Sequence, residues 1–363
     1  MGESQYFELD EQQEKRAARL HSESLLFDAL VAGGDAFLTD PDYQDHLGEA
    51  EVDVGNFTVG GPSDSFDDTV QGIIATRENV RQNDDRYFLV ENFDDVKHAN
   101  ESERTGVMLG FQGCDGMGKS LDRLRAFYEA GVRVIDPTYN RQNYLGTGCC
   151  EGFEGRDSGL TMLGRDAVDL MNKLGIVIDT AHDADQTTME LVEYSDDPVI
   201  QSHIGCRALC PSYGRAKTDE QLKAVAENGG VNAITPFPPV IKQNPETHEV
   251  LQATVHDVLN HIDHAVEVGG VESVAFGADM SDRSLDNKTM STGSNLYNWR
   301  PTHPEVYGAG SIEVMDSYPE GLSRYTELEN LTRGLVDRGY DDSEIEAILG
   351  GNLRRVFETV LAD

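Results

Sequence analysis

Basic residues are scarce in this sequence. Lys and Arg number 29 against 66 Asp and Glu, for a formal net charge of −37 over 363 residues, and only eight of the basic residues are Lys. Such a surface repels phosphate backbones and anionic membranes, and no basic patch interrupts it, which argues against nucleic-acid and membrane partners. Acid excess spread along the whole chain, with little lysine, is what a protein exposed to very high salt uses to stay hydrated. In dilute buffer, where the Debye length is about 10 Å or more, its self-repulsion would destabilise it, so a halophilic protein is expected. Cysteine is also sparse, and an odd count of five does not suit a disulfide framework. No run of about 18 apolar residues is present to span a membrane. The opening MGESQYFELDEQQEKRAARL lacks the apolar core of a signal peptide, and the closing NLRRVFETVLAD reads as a charged helix end rather than a lipid-anchor signal. Together these absences point to a soluble, cytoplasmic chain.

What is present is an alternation of short β-branched runs and amphipathic stretches. Residues 1–22 read as an N-terminal helical arm. Strand candidates follow at 25–31, 56–59, 88–90, 107–111, 132–135, 176–179, 198–201, 230–235 and 271–277. Helical spacing falls at 66–83, 93–100, 121–130, 160–174, 185–194, 219–227, 255–268, 325–338, 343–349 and 352–361. The stretch 33–53 is polar and turn-rich. Alternation repeated about eight times over one chain favours an α/β fold of the (β/α)8 TIM-type barrel class, with residues 23–363 as a single domain. Two long βα loops, at 146–159 and 281–322, would sit on the catalytic face, the first resembling a lid.

The stretch 175–205, GIVIDTAHDADQTTMELVEYSDDPVIQSHIG, organises the rest. Strand, histidine, helix, strand, histidine is a βαβ unit, and its two strands lie parallel in one sheet. His182 and His203 then leave the carboxyl ends of neighbouring strands, the edge where parallel α/β folds bind metals and ligands. Two imidazoles so placed can share a metal ion, whereas strand caps would be their ordinary structural use. The same edge collects Asp28–Ala32, Gln112, Tyr139, Asn140 and Asp279, with Arg215 just beyond His203. Arg215 suits a two-point grip on a substrate carboxylate, against the common use of Arg in a surface ion pair. Asp279 suits a base or a water-orienting role, and otherwise caps a turn. Tyr139 could donate to a developing oxyanion, or simply pack. Cys149, in the first long loop, is a third-ligand or thiol candidate, although a buried loop cysteine is the commoner case. Cys206 and Cys210, spaced by four, are a weak metal signal.

From about residue 25 onward the chain resembles the membrane (renal) dipeptidase family of zinc peptidases, within the amidohydrolase-like barrels. The stretches that carry the resemblance are GVRVIDPTYNRQN, GLTMLGRDAVDLMNKLGIVIDTAHD, DPVIQSHIG with RAKTDEQL, HIDHAVEVGGVESVAFGAD and ILGGNLRRV. It implies a hydrolase that cleaves dipeptides and related amides, with two zinc ions bridged by a Glu. His182 and His203 match the histidines of the second zinc, Arg215 the carboxylate-binding arginine, and Asp279 the aspartate near the attacking water.

The chain also departs from that pattern. The family's His-x-Asp on the first strand is met here by FDALVA, so Leu30 and Ala32 stand at two ligand positions. Gln112 stands at the bridging Glu, and Tyr139 at a substrate-contacting His. Leu and Ala cannot ligate, and a neutral amide brings no charge to offset two dications. The expectation is therefore at most one zinc ion, held by His182, His203 and Gln112 or Asp279. Asp279 and Tyr139 would be catalytic, and Arg215, Tyr139 and Asn140 would bind a dipeptide or an N-acyl amino acid. Metal-free chemistry and non-catalytic binding stay open as alternatives, as does a homodimer packed through barrel helices.

Overall fold

The structure, a computed structural model, describes residues 6–280, 282 and 318–361. Nine strands run through the described residues: β1 (Phe27–Val31), β2 (Val54–Gly60), β3 (Tyr87–Val90), β4 (Thr105–Gln112), β5 (Val132–Asp136), β6 (Val177–Ile178), β7 (Ile200–Ile204), β8 (Val231–Ile234) and β9 (Val274–Phe276). All their pairings are parallel. β1, β2, β4, β5 and β6 form one curved sheet and β7, β8 and β9 another. The seam between the sheets is held by the parallel bridge of Asp179 with Ile200 and by the Thr180 N–H donating to the Ile200 carbonyl at 2.8 Å. The second seam forms where the Asp279 N–H donates to the Leu30 carbonyl at 2.9 Å and the Ala278 N–H to Asp28 Oδ1 at 2.8 Å. The result is a (β/α)8 barrel. β3 stands outside this ring, because β4 pairs with β3 through Thr105–Met108 and only then with β5.

Period-two alternation divides the apolar residues between two layers. Val177, Ala233 and Ala275 join an interior cluster with Phe27, Val54, Met108 and Val134, while their neighbours Ile178, Ile234 and Phe276 face the helices. Helix Asn352–Leu361 contributes Leu353, Val356, Phe357 and Val360 to the interior cluster, with Phe357 stacked on Phe27 at 4.9 Å. It closes the amino end of the strands, where the Asn352 amide donates to the Val271 and Val274 carbonyls, each at 2.8 Å. The other end is left for the loops.

Helix Glu11–Glu23 starts at a capping box of Asp10 and Gln13. It docks on helix Glu329–Asp337 through buried Ala17 and Leu20, an ion pair of Glu14 with Arg333 at 3.0 Å, and a His21–Thr332 contact at 2.9 Å. Three expectations need correction. Residues 33–53 contain two short helices, Asp35–Thr39 and His46–Glu49, which bury Phe37, Leu38 and Leu47. His203 lies inside β7 rather than after it. The loop at 146–159 is stitched down rather than free. The Cys149 N–H donates to the His182 carbonyl at 2.8 Å, the Ala184 N–H to the Thr147 carbonyl at 3.0 Å, and Gly148 bridges Asp183. The excursion expected at 281–322 lies for the most part outside the described residues. No described helix is long and apolar enough to cross a membrane.

Candidate metal centre and substrate site

β6 ends at Ile178, and the chain turns at once through Thr180–Asp183 into helix Asp185–Tyr194. The turn is held by buried carboxylates. Asp179 Oδ1 accepts from the Ala181 N–H at 3.0 Å and the Ser202 N–H at 2.9 Å, and Asp136 Oδ2 accepts from the His182 N–H at 2.9 Å. His182 thereby faces three strand ends. Its Nε2 stands 3.0 Å from His203 Nε2 and 3.1 Å from Gln112 Oε1.

The far sides of both rings decide their tautomers. The Ser202 hydroxyl donates to Asp179 Oδ2, so its oxygen accepts from His203 Nδ1–H at 2.6 Å. Asn140 Oδ1, which already accepts from the Cys149 thiol at 3.3 Å, accepts from His182 Nδ1–H at 3.0 Å. With Nδ1 carrying the proton on both rings, both Nε2 atoms present lone pairs. The Gln112 amide is fixed the same way, because its Nε2 donates to Thr58 Oγ1 at 2.8 Å and turns Oε1 toward His182. Burial, reinforced by the Arg215 charge, holds both imidazoles well below the usual histidine range, so neither carries a second proton. Three lone pairs thus meet without a donor between them, a donor set that fits one borderline metal ion. Leu30, buried, and Ala32, half-buried, offer no donor atom for a second. Among the described residues no cluster of three or more His, Cys, Asp or Glu could hold a metal; the set here is two imidazoles and an amide.

Arg215 is 3% exposed. Its Nη2 donates to the His203 carbonyl at 3.0 Å, its Nη1 lies 4.0 Å from Asp279 Oδ2, and its Nε has no hydrogen-bond partner. Asp279 follows β9 in the left-handed region, at φ 48°, a conformation that costs a non-glycine residue about 1 kcal/mol or more. Burial raises its carboxyl to about 6 even though Arg215 works the other way. Tyr139 lies on the segment after β5 and packs against Gly113, φ 101°, where an added Cβ would lie 3.3 Å from the Tyr139 Cβ. Its ring stacks on His182 at 3.9 Å, and burial pushes its hydroxyl well up, so it stays a protonated donor.

Gln112, Tyr139, Asn140, His182, His203, Arg215 and Asp279 are thus brought together. Cys149 is near but on the Nδ1 side of His182, bonded to Asn140, so it is no third ligand to the Nε2 pair. Cys206 and Cys210 do not form a pair either. The Cys206 thiol donates to the His261 carbonyl and the Cys210 thiol to the Pro239 carbonyl, and burial pushes each up to about 12. Missed in the sequence were Asp136, Asp179, Ser202 and Lys217. The VID and IDT strand ends hinted at the two aspartates, and no pattern marked Ser202.

Residues 35–295 match the family model described as Membrane dipeptidase (Peptidase family M19). Dipeptidase 3 of Mus musculus is 28% identical over 264 residues, which is 72% of this chain and 46% of that protein. Dipeptidase tcpJ of Claviceps purpurea is 26% identical over 297 residues, 82% of this chain and 60% of that protein. The chain spans about half the length of the curated relatives it matches. Among solved structures, an amidohydrolase from Pseudomonas aeruginosa superposes with a TM-score of 0.79 at 27% sequence identity, over 96% of this chain and 99% of that one.

Proposed function

Since the chain belongs to the membrane dipeptidase family, Peptidase family M19, we propose that it is a metal-dependent hydrolase of a dipeptide or related amide with a free carboxylate, working with one zinc ion. The observation that carries this reading is the meeting of His182 Nε2, His203 Nε2 and Gln112 Oε1 with their other polar atoms already committed. A zinc ion held by these three would supply Lewis acidity toward a carbonyl and a lowered pKa for water.

The chain's own residues divide the remaining work. Arg215 binds the substrate carboxylate, with the unpartnered Nε as a free donor beside its Nη groups. Asp279 takes a proton from water and returns it to the leaving amine. Arg215, 4.0 Å away, limits how far burial can raise that carboxyl. Tyr139 donates to the carbonyl oxygen as charge develops there, and its stacking on His182 fixes the ring. Asn140 holds the His182 tautomer and lines the same wall. The barrel from residue 23 onward is read as one catalytic domain and 1–22 as an N-terminal arm, whose helix Glu11–Glu23 lies on the barrel's flank.

Metal content measured by mass spectrometry, on protein purified in concentrated salt without chelator, tests the reading. The expected result is about one zinc per chain, lost in His182→Ala, with turnover in a screen of dipeptides and N-acyl amino acids. Two ions per chain would refute the assignment of Leu30, Ala32 and Gln112. No ion would refute the hydrolytic mechanism and favour metal-free chemistry or simple binding.

A further inference from the structure

Lys217 is a fully buried cation just beyond Arg215, at 1% exposure. A lysine in such a place needs partners for all three of its N–H groups. Its ammonium donates to the Thr180 carbonyl at 2.7 Å, the Asp183 carbonyl at 2.8 Å and the Thr188 hydroxyl at 3.1 Å. Two of these acceptors bracket His182 on the turn after β6, and the third lies on the helix that follows. The lysine backbone is tied to a different loop. Its N–H donates to the Gly205 carbonyl at 2.9 Å and its carbonyl accepts from the Arg207 N–H at 2.8 Å, just past His203. One residue therefore spans the turn that carries His182 and the segment that carries His203 in β7 and Arg215 in the loop after it.

The acceptors are mainly backbone carbonyls, whose positions define the turn itself. An ammonium can direct three donors tetrahedrally at such a cluster, whereas a guanidinium offers a planar fork. We propose that Lys217 is a positioning residue that clamps the His182 turn to the end of β7, which holds His203, and to the loop after it, which holds Arg215. The metal-binding nitrogens and the carboxylate-binding guanidinium thereby keep a common frame. The clamp stands on the hydrogen bonds alone; its consequence for metal binding rests on the one-metal reading above.

The test uses the full chain with Lys217→Met and Thr188→Val. Cobalt(II) is titrated in as a spectroscopic probe, and hydrogen–deuterium exchange is followed by mass spectrometry in the metal-free protein. In Lys217→Met the exchange of residues 180–183 is expected to accelerate at least about tenfold while helix Val255–Gly269 keeps its protection, which marks a local release rather than general loosening. Cobalt affinity is expected to fall about 10- to 100-fold, with a changed ligand-field absorption. Thr188→Val, which keeps the lysine and removes one acceptor, is expected to shift both readouts in the same direction by about two- to threefold. A folded Lys217→Met with parent-like exchange at 180–183 overturns the proposal. If that variant does not fold, Thr188→Val decides by the same exchange measurement. A parent protein that takes up no cobalt overturns the one-metal reading, and the exchange data still decide the clamp.

Discussion

Asp28 offers the sharpest quantitative test of how this barrel closes. Its Oδ1 accepts from the Leu30 N–H at 3.0 Å and the Ala278 N–H at 2.8 Å, and its Oδ2 contacts the Tyr325 hydroxyl at 2.6 Å, joining β1 to the end of β9. Burial outweighs these bonds and raises the carboxyl from 3.8 to about 7. Between those values the unfolded chain has released this proton and the folded chain still holds it. Stability from this group is therefore complete below about pH 4 and is lost as pH rises toward 7. A gap of about three units, at about 1.36 kcal/mol each, amounts to about 4 kcal/mol. Asp28→Asn mimics the protonated form: its oxygen still accepts from both N–H groups, and its amide can donate to Tyr325. Equilibrium urea unfolding in concentrated salt, at several pH values between about 4 and 8, should show the parent losing about 4 kcal/mol more than the variant, at equal m-values. Asp183, raised by burial, slopes both proteins alike, and Asp279 enters the difference only through its small repulsion of the Asp28 carboxylate. Parallel curves for the two proteins would refute the argument.

The proposed roles of Asp279 and Arg215 give two further expectations. Asp279→Asn should lower kcat/KM at least about 100-fold, and the parent's kcat/KM should fall as pH drops through about 6, where the carboxyl protonates. A parent pH profile flat across that range would remove Asp279 from the proton path. Arg215→Lys should raise KM for a carboxylate-bearing substrate about tenfold with little change in kcat, since a point charge replaces a fork; steady-state kinetics that leave KM unaltered would place the carboxylate elsewhere.

The barrel was legible because it is written locally. Helices Asp185–Tyr194, Asp219–Glu227 and Asn352–Leu361 fall within the bounds set by apolar spacing, and most strands fall within two or three residues of theirs. The histidine pair was legible because a βαβ unit permits only one arrangement of its strand ends. The supporting network was not. Asp136, Asp183 and Lys217 meet only after loops from three strands are folded over one another, and no sequence period encodes that meeting. Lys217 did carry a faint signal. It immediately precedes Thr218, which caps helix Asp219–Glu227 in a capping box with Gln221. That position is often buried against the helix's fourth residue, here Leu222, so a charge there is out of place on a surface reading. Residues 33–53 were misjudged for the opposite reason: Phe37, Leu38 and Leu47 bury themselves in helices of five and four residues, too short for periodicity to show.

The groups at the mouth are balanced in charge. His182 and His203 are neutral, Gln112 is an amide, Leu30 and Ala32 are apolar, and Asp279 faces Arg215. These groups sum to zero before any ion enters. Two dications in that setting would leave four uncompensated positive charges in a largely buried site, whereas one leaves two. The chain as a whole carries −37, so the carboxylate-bearing substrate of the proposed function would approach a repelling surface. In concentrated salt the Debye length shrinks to about 3 Å, and the distant acids are screened while groups in contact are not. On the proposed function, recognition of the substrate carboxylate falls to the short-range grip of Arg215, which is buried and keeps an unpartnered Nε.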